Sequence, residues 1–345
     1  MTTPVRLALI GAGRIGALHM KTIAGIDEAT LVAVADTAPS AKALAEHHGA
    51  TFYDDYKTLL AEIKPDGVVV ATPTALHLAP ALSALDHGAH LLIEKPITPT
   101  LGEAHQLIAK STETGRHILV GHHRRHYPFV HRAREILREG GIGRLVGVNA
   151  QWTLRKADSY FAADWRQKRT AGPVLTNLIH EIDTLRYICG EIVSLSGETA
   201  SFVRGHEKEE TAALNLRFES GALGTILISD AAVSPWAWEF AFNESPDFPP
   251  AYQNATRFVG DTASLEFPNL KLWRHEDTAS GWNSPLQSED RSCDAGDAYI
   301  NQCRHFCRVI RGEDSPLISA EDATRTLAAA LAVFDAAVSG KRIIL

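Results

Sequence analysis

Two segments of the chain carry side chains that could handle a proton. In "LLIEKPIT" (91–98), an apolar run typical of a buried strand is followed by Glu94, Lys95 and a proline. In "GPVLTNLIHEIDTLRYICG" (172–190), His180 lies in a segment with helical periodicity. A lysine ammonium stabilises negative charge that develops on an oxygen, and a neutral imidazole accepts the proton that the oxygen loses. The two side chains together indicate acid–base chemistry at a hydroxyl group.

The histidine segment predicts a helix that begins near Pro173 and ends at Gly190. One stripe of this helix is apolar, and the stripe that contains His180 is entirely polar. The polar stripe consists of Thr176, His180, Asp183 and Tyr187. Such stripes are often only solvated surface, whereas the absence of Lys and Glu from this one favours a polar pocket. In a pocket, Asp183 would orient the imidazole or bind a substrate hydroxyl.

Five short apolar runs in the first third of the chain alternate with helix-like segments. The runs cover residues 5–10, 31–35, 67–71, 90–94 and 117–121, and the helix-like segments cover 14–25, 39–48, 55–63, 75–87 and 100–114. Continuous apolar runs indicate strands covered on both faces, and their alternation with helices predicts an α/β fold with a doubly wound parallel sheet. Lys95 is then at the carboxyl end of a strand, where ligands bind in such sheets.

The pattern changes near residue 125, which predicts a first domain of residues 1–125 and a second domain of residues 126–345. The second domain contains longer strands with partial alternation, such as "LVGVNAQWTL" (145–154) and "AALNLRF" (212–218). These strands indicate an α+β domain with a large, open, mainly antiparallel sheet. The other face of an open sheet is often covered by a helix or by a partner subunit.

A glycine-rich turn follows the first predicted strand and opens a helix. Its pattern is Gly11-x-Gly13-x-x-Gly16, and Asp36 ends the second strand 20 residues after the last glycine. In this context the glycines permit a tight turn, close approach to a pyrophosphate and close packing of helix on strand. The pattern therefore predicts a dinucleotide site with the phosphates at the helix N-terminus. The predicted cofactor contacts here are Gly11, Gly13, Arg14, Ile15, Gly16 and Asp36.

Asp36 favours NAD over NADP as the cofactor. Its carboxylate can accept hydrogen bonds from ribose hydroxyls but would repel a 2′-phosphate, and no arginine follows it to bind that phosphate. At the other end of the cofactor, Glu94 would bind a ribose hydroxyl or hold Lys95. The residues predicted to line the nicotinamide ribose are Thr72, Pro73 and His77.

The dinucleotide site and the two ionisable side chains indicate alcohol oxidation. A hydride leaves the carbon for the nicotinamide while a proton leaves the oxygen. His180 is the predicted proton acceptor, because histidine titrates near neutral pH, and Lys95 is predicted to stabilise the charge on the oxygen. We therefore expect an amine from one domain and an imidazole from the other to act on the same carbinol.

Four motifs together resemble the Gfo/Idh/MocA family, named for glucose–fructose oxidoreductase, inositol dehydrogenase and rhizopine catabolism. They are the Gly11–Gly16 turn, "EKP" (94–96), "GHHRRHYP" (121–128) and "HEID" (180–183). The resemblance covers nearly the whole chain and implies a Rossmann domain followed by an α/β domain whose sheet often forms dimers or tetramers. It also implies that Lys95 and His180 are catalytic and that no metal takes part.

One position departs from the pattern of this family. Many members carry an aspartate four residues before the histidine, and this chain has Thr176 there with Asn177 beside it. A threonine cannot supply the same negative charge. The proton relay is therefore expected to run through Asp183, Asn177 or water, and Thr176 and Asn177 remain predicted substrate contacts.

Further substrate contacts are expected from basic and aromatic residues. In "HHRRH" (122–126), two adjacent cations disfavour a metal site, so Arg124 or Arg125 is predicted to donate hydrogen bonds to substrate oxygens or a carboxylate. Arg155, Lys156 and Tyr160 are predicted to add contacts, although a solvated strand end explains them equally well. The segment 234–254, rich in proline and aromatic residues, is either a lid or an ordered insertion.

Composition excludes several classes of partner. The chain has 345 residues and a formal net charge of −7, which argues against binding to nucleic acid or anionic membranes. No apolar run has membrane-spanning length, and the N-terminal sequence lacks the features of a signal peptide, so a cytoplasmic protein is expected. Cys303 and Cys307, one helical turn apart, are interpreted as buried thiols rather than as metal ligands.

The leading interpretation is an NAD-dependent dehydrogenase that oxidises a secondary alcohol of a sugar, cyclitol or related polyol, working as a homodimer or homotetramer. One alternative is a dehydrogenase of a carboxylated cyclic diol or hemiacetal from aromatic catabolism. A second is a non-catalytic NAD-binding sensor, and a third is an enzyme whose tightly held cofactor cycles between two substrates.

Overall fold

The computed structural model describes residues 3–244, 247–277 and 281–345. The chain forms two compact units that are each built from two segments. The first unit contains the residues up to His126 together with Gly296–Leu327, and the second contains Tyr127–Ala295 together with Ala328–Leu345.

The first unit contains a six-stranded sheet in which all strands are parallel. Its strands are β1 (Val5–Ile10), β2 (Ala29–Ala35), β3 (Thr51–Tyr53), β4 (Gly67–Val70), β5 (His90–Ile93) and β6 (Ile118–Val120). They stand in the order β3-β2-β1-β4-β5-β6. This order confirms the predicted doubly wound parallel sheet, because the chain moves outward from β1 in both directions. The short strand β3 was not predicted.

Helices connect these strands, and a further helix of the first unit comes from the C-terminal part of the chain. They are α1 (Arg14–Ala24), α2 (Ala41–His47), α3 (Tyr56–Ile63), α4 (Leu78–Asp86), α5 (Leu101–Thr114) and, much later in the chain, α9 (Ala298–Ile310). In α9, Phe306 is fully buried. A Cβ atom on Gly67 would lie 2.6 Å from the Ile310 side chain and 3.0 Å from Phe306, so α9 packs tightly on β4.

This packing differs from the predicted domain boundary. Sequence patterns assign everything after residue 125 to one C-terminal domain, whereas residues 296–327 belong to the first unit. Asp297 begins the returning helix by accepting hydrogen bonds from the backbone N–H groups of Tyr299 and Ile300 at 2.9 and 3.0 Å. The apolar face of that helix then covers β4.

The second unit is built on a nine-stranded sheet. Its strands are β7 (Leu145–Thr153), β8 (Ile192–Ala200), β9 (Thr211–Phe218), β10 (Leu223–Ser229), β11 (Thr256–Gly260), β12 (Ala263–Phe267), β13 (Lys271–Arg274), β14 (Gln287–Asp290) and β15 (Ile343–Ile344). Their order is β14-β13-β12-β11-β7-β10-β9-β8-β15, and every pair except β7–β10 is antiparallel. The predicted large, mainly antiparallel sheet is confirmed.

Helices of the second unit pack beside this sheet. They are α6 (Pro128–Arg138), α7 (Ile179–Cys189) and the short α8 (Trp238–Ala241). The long helix α10 (Ala320–Ser339) begins in the first unit and ends in the second. Within the part of the chain that the structure describes, no helix has both the length and the apolar character needed to cross a membrane.

Candidate active site

The turn after β1 can be built only with glycine at two positions. Gly11 has a φ of +97°, and a Cβ atom there would lie 2.7 Å from the backbone of Ala71 and Thr72. A Cβ atom on Gly16 would overlap with the carbonyl oxygen of Gly11. The first turn of α1 therefore packs directly on the end of β1, as the fingerprint predicts.

The space beside this turn fits a dinucleotide. Gly13 is exposed, and no atom lies within 4 Å of the position that its Cβ atom would take, so the backbone at the start of α1 is open to a phosphate. Asp36 is fixed next to the turn, because its carboxylate accepts hydrogen bonds from the N–H groups of Ala12 at 2.6 Å and Ala38 at 2.7 Å. It remains partly exposed, as a ribose ligand must be. Arg14 and Ile15 are also exposed at this turn.

His77 does not line an open site, which corrects its predicted contact with the nicotinamide ribose. Only 1% of its surface is exposed, and its ring nitrogens lie 2.9 Å from the carbonyl oxygen of Thr72 and 3.2 Å from that of Ile97. Burial lowers the pKa of His77, although these hydrogen bonds oppose the shift. His77 thus joins the segment after β4 to the segment after β5. Thr72 and Pro73 are partly exposed, and their predicted roles stay open.

Glu94 holds the backbone that carries Lys95. Its carboxylate lies 2.8 Å from Nε2 of His19 in α1 and accepts a hydrogen bond from the backbone N–H of Lys95 at 3.2 Å. Burial opposes ionisation of Glu94, but the hydrogen bond from His19 and the charges of Lys95 and His123 outweigh it and lower the pKa of the carboxyl group. The Lys95–Pro96 peptide bond is cis.

His19 and Tyr299 are parts of this arrangement that sequence patterns missed. His19 is 3% exposed, and its ring packs edge-on against Tyr299 at 5.9 Å between centroids. Tyr299 also stacks on His123 at 4.7 Å. The signal available in the sequence was a histidine three residues after Gly16, on the side of α1 that must face the sheet.

The basic segment 122–126 is buried within the first unit. Arg124 and Arg125 are 2% and 4% exposed, and Arg125 forms an ion pair with Asp322 at 2.5 Å. The carbonyl oxygen of His126 accepts a hydrogen bond from Nδ2 of Asn301 at 3.0 Å. The predicted substrate role of Arg125 is therefore corrected to a structural one, because its guanidinium binds the C-terminal segment. Arg124 keeps its predicted role as a hypothesis.

His180 stands at the start of α7, directly after a single π-helical turn at Val174–Leu178. Glu209 accepts a hydrogen bond from the N–H of Val174 at 2.9 Å. Glu209 also fills the space beside Gly172, where a side chain would overlap its carboxylate. The predicted regular helix is thus interrupted before His180, and π turns are frequent at functional sites.

The polar stripe of α7 is not solvated surface. His180 is 7% exposed and Asp183 is 1% exposed, as is typical of polar groups with a specific role rather than of a water-facing helix side. Tyr187 is explained by packing, since its hydroxyl lies 2.7 Å from Nδ1 of His131 in α6 and Arg134 lies 4.1 Å above its ring.

Thr176 and Asn177 are joined to Lys156, which was predicted only as one of the further substrate contacts. Oγ1 of Thr176 lies 2.9 Å from the carbonyl oxygen of Gly172 and 2.8 Å from Oδ1 of Asn177. Nζ of Lys156 donates to the same Oδ1 atom at 3.0 Å. Burial lowers the pKa of Lys156 to about 8, and the opposite charge of Asp230 offsets only part of that effect.

The two residues predicted near Lys156 differ in their surroundings. Arg155 is exposed and pairs with Asp158 at 3.3 Å, which agrees with a solvated strand end. Tyr160 is partly buried, and its ring lies 5.1 Å from Nζ of Lys156 and 4.1 Å from the guanidinium carbon of Arg166. The ring of Tyr160 therefore makes cation–π contacts with both Lys156 and Arg166.

The segment 234–254 packs within the second unit, although Ser245 and Pro246 lie outside the described residues. Trp238 is 3% exposed and packs at a tilt against Tyr127 and edge-on against Phe242. Glu244 accepts hydrogen bonds from Nε1 of Trp238 at 2.9 Å and from the hydroxyl of Tyr127 at 2.8 Å. These contacts favour the ordered insertion over a mobile lid for the described part of the segment.

Two glycine variants should separate packing from cofactor binding. Gly16→Ala must displace α1 from Gly11, so we expect its melting temperature to fall by several degrees. Gly13→Ala meets no neighbouring atom, so its melting temperature should stay unchanged while NAD binding weakens about tenfold or more. Thermal unfolding and NAD titration measure the two effects. A Gly13→Ala variant with wild-type NAD affinity would contradict the placement of the phosphates.

Comparisons with known proteins agree with this architecture. The family model described as "Oxidoreductase family, NAD-binding Rossmann fold" matches residues 5–122, and the GFO/IDH/MocA C-terminal domain model matches residues 130–266. A crystal structure of an oxidoreductase from Agrobacterium radiobacter in complex with NAD+, L-tartaric acid and magnesium has a TM-score of 0.82 at 19% identity. The match covers 99% of this chain and 98% of that one, and it shows the same fold.

Two sequence relatives come from Bacillus subtilis. The uncharacterized oxidoreductase YrbE is 30% identical over 68% of this chain and 69% of its own length. The scyllo-inositol 2-dehydrogenase (NAD(+)) is 26% identical over 96% of this chain and 94% of its own length. With both family models matched in order, and with the fingerprint turn and the Glu94–Lys95 segment at one sheet edge, this chain belongs to the Gfo/Idh/MocA family of NAD-binding Rossmann oxidoreductases.

Proposed function

We propose that the protein is an NAD-dependent dehydrogenase that oxidises a secondary alcohol of a sugar, cyclitol or related polyol. Relatives named scyllo-inositol 2-dehydrogenase, D-glucoside 3-dehydrogenase and myo-inositol 2-dehydrogenase align over at least 94% of the chain and support this substrate class. Lys95 and His180 are the proposed catalytic residues.

One observation carries this proposal. The cofactor turn follows β1, Asp36 follows β2 and Lys95 follows the end of β5, and these strands are parallel members of one sheet. Three strand spacings, about 14 Å, separate β2 from β5. Carboxyl ends of parallel strands share one edge, so a dinucleotide whose adenosine ribose is held at Asp36 can extend along that edge toward Lys95.

Each of four residues has a separate proposed role in alcohol oxidation. When bound, the nicotinamide supplies the carbon that accepts the hydride. A ring nitrogen of His180 takes the proton of the reacting hydroxyl, and the ammonium of Lys95 stabilises the negative charge on its oxygen. Glu94 and His19 hold the backbone of Lys95 in place. In the reverse direction, His180 returns the proton to the carbonyl oxygen.

Asp36 supports the preference for NAD. We expect Asp36→Asn to lower the ratio of kcat/KM for NAD over that for NADP at least about tenfold, because the variant removes the charge that repels a 2′-phosphate. Asp27→Asn is the matched control, since Asp27 is exposed in the loop between α1 and β2, at the opposite edge of the sheet. Equal use of both cofactors by the wild-type protein would refute the NAD assignment.

His180→Ala should identify the proton acceptor. We expect kcat to fall by about 10²- to 10⁴-fold while the Kd for NAD stays unchanged, because the imidazole acts on the substrate proton and not on the cofactor. The assay follows NAD reduction with the best substrate from a screen of sugars, inositols, sugar acids and aromatic diols. His47→Ala, an exposed histidine on α2, controls for loss of any imidazole. Turnover close to wild type would remove His180 from the mechanism.

We further propose that two copies of the chain pair through the nine-stranded sheet. Its outward face carries Leu223, Leu227 and Val259, which are 54%, 40% and 40% exposed. The strand register sets Leu223 and Val259 on either side of Gly147, which makes a flat apolar strip across β10, β7 and β11. Apolar patches of this kind are typical of interfaces.

The proposed compartment is the cytoplasm. All four cysteines are unbridged, and Cys303 and Cys307 are buried in α9. Unbridged thiols of this kind suit a reducing compartment.

A further inference from the structure

Lys156 is a buried cation that contacts the segment leading into His180. Its side chain is 15% exposed, and Nζ donates to Oδ1 of Asn177 at 3.0 Å. The aromatic rings of Tyr160 and Trp152 lie 5.1 and 5.5 Å from Nζ. Asn177 precedes His180 by three residues in one helical segment, so their backbones are about one turn, roughly 5 Å, apart.

The nearest carboxylate to Lys156 is already engaged by two other cations. Asp230 is fully buried, and its Oδ2 atom accepts a hydrogen bond from Nζ of the fully buried Lys208 at 2.7 Å. Its Oδ1 atom pairs with Arg204 at 3.2 Å. Lys156 stands 4.0 Å from Oδ2 of Asp230, beyond hydrogen-bond distance.

Other acidic groups near this cluster have partners of their own. Glu210 accepts hydrogen bonds from the N–H groups of Val203 and Arg204 at 2.9 Å, and Glu239 accepts one from Nε1 of Trp152 at 2.7 Å. Burial raises the pKa of Glu209, whose carboxylate already accepts a hydrogen bond from the N–H of Val174. Among the described residues, Lys156 thus has one neutral hydrogen-bond acceptor and a carboxylate at 4.0 Å that two other cations already engage, so an anion that reaches this buried ammonium stabilises it.

We propose that Lys156 binds a carboxylate group of the substrate, so that the preferred alcohols are sugar acids or cyclitol carboxylates. This inference rests on the proposed dehydrogenase function and names its substrate class. The ammonium has two further N–H donors besides the one given to Asn177, and a carboxylate can accept both. A single ammonium beside an amide suits a monoanion better than a phosphate, which is usually held by several amides or by arginine.

The distance along the helix fits a small substrate. His180 acts on the hydroxyl, and Lys156 contacts Asn177, whose backbone lies about one helical turn from that of His180, so one ring can carry both groups. Thr176, where many family members have an aspartate, adds no negative charge that would repel the acid. The positive charge of Lys156 and the threonine in place of an aspartate at position 176 therefore both favour an acidic substrate.

Steady-state kinetics test this assignment. The substrates are D-glucuronate against D-glucose and quinate against myo-inositol, with glucose 6-phosphate as the phosphate probe. We expect wild-type kcat/KM to favour the acids at least tenfold, and Lys156→Met to lower this acid-to-neutral ratio at least tenfold, mainly through KM. Lys168→Met, an exposed lysine in the same unit, should leave the ratio unchanged. Lys156→Arg should restore part of the preference, which a merely structural role would not.

The pH dependence adds a second readout. The amine of Lys156 is charged below its pKa of about 8 and neutral above it, so KM for the acids should rise as the pH passes above about 8. A bound carboxylate moves this rise to higher pH. The charged groups that face Lys156 are Asp230, Lys208, Glu239 and Arg204.

Binding measurements separate this inference from the proposed function. D-glucuronate should raise the melting temperature of the NAD complex of the wild type and do so less for Lys156→Met or Lys156→Gln, whether or not turnover occurs. Binding that depends on Lys156 without oxidation of any alcohol would contradict the dehydrogenase proposal alone. Equal kcat/KM for acids and neutral polyols, or a preference for glucose 6-phosphate, would overturn the carboxylate assignment.

Discussion

The position of α1 is the constraint on which the cofactor half of the site depends. At its start, Gly16 packs on the carbonyl oxygen of Gly11, which sets the turn after β1. One turn later, His19 binds the carboxylate of Glu94, and that carboxylate accepts a hydrogen bond from the N–H of Lys95. The same helix therefore fixes both the glycine-rich turn and the backbone of Lys95, the proposed catalytic lysine.

The space around Glu94 shows how closely this arrangement is packed. A Cβ atom on Gly121 would lie 3.0 Å from Oε1 of Glu94, so the chain after β6 leaves room for the carboxylate only with glycine. A buried acid is costly unless it is ionised beside donors and cations. His19, Lys95 and His123 meet that requirement, which explains why the pKa of Glu94 is lowered despite burial.

The second unit uses buried charge in a different way. Lys208, Arg204 and Asp230 form an ionic cluster at the ends of β9 and β10, and the cluster leaves Lys156 directed at Asn177 rather than at an acid. Truncating one member of such a cluster leaves an uncompensated charge and costs about 3–5 kcal/mol. The cluster thus stabilises the strands while keeping one cation available beside the helix that carries His180.

Much of the fold could be predicted because local patterns of apolar and glycine residues indicate which segments are buried. Continuous apolar runs marked the parallel strands, and the fingerprint glycines marked the turn where backbone atoms nearly touch. The strand β3 has only three residues, too short for a periodic signal. Arg125 was misassigned because its partner Asp322 is brought close only by the return of the C-terminal segment.

The candidate site was predicted in part for the same reason. His180 and Lys95 were found from helical spacing and strand ends, whereas the π turn before His180 depends on Glu209 and Gly172, which no local pattern connects. Lys156 was predicted only as a further substrate contact beside Arg155, since sequence patterns do not show which of two neighbouring residues in an extended chain is buried. Its contact with Asn177 depends on the fold.

A double-mutant cycle on Lys95 and His180 tests the central claim most directly. The proposal is that Lys95 and His180 act on the same hydroxyl in the same step. We predict that kcat of the Lys95→Met/His180→Ala double variant matches that of the slower single variant, because residues that act as one unit have non-additive effects. Losses that multiply in the double variant, as for independent sites, would contradict the account.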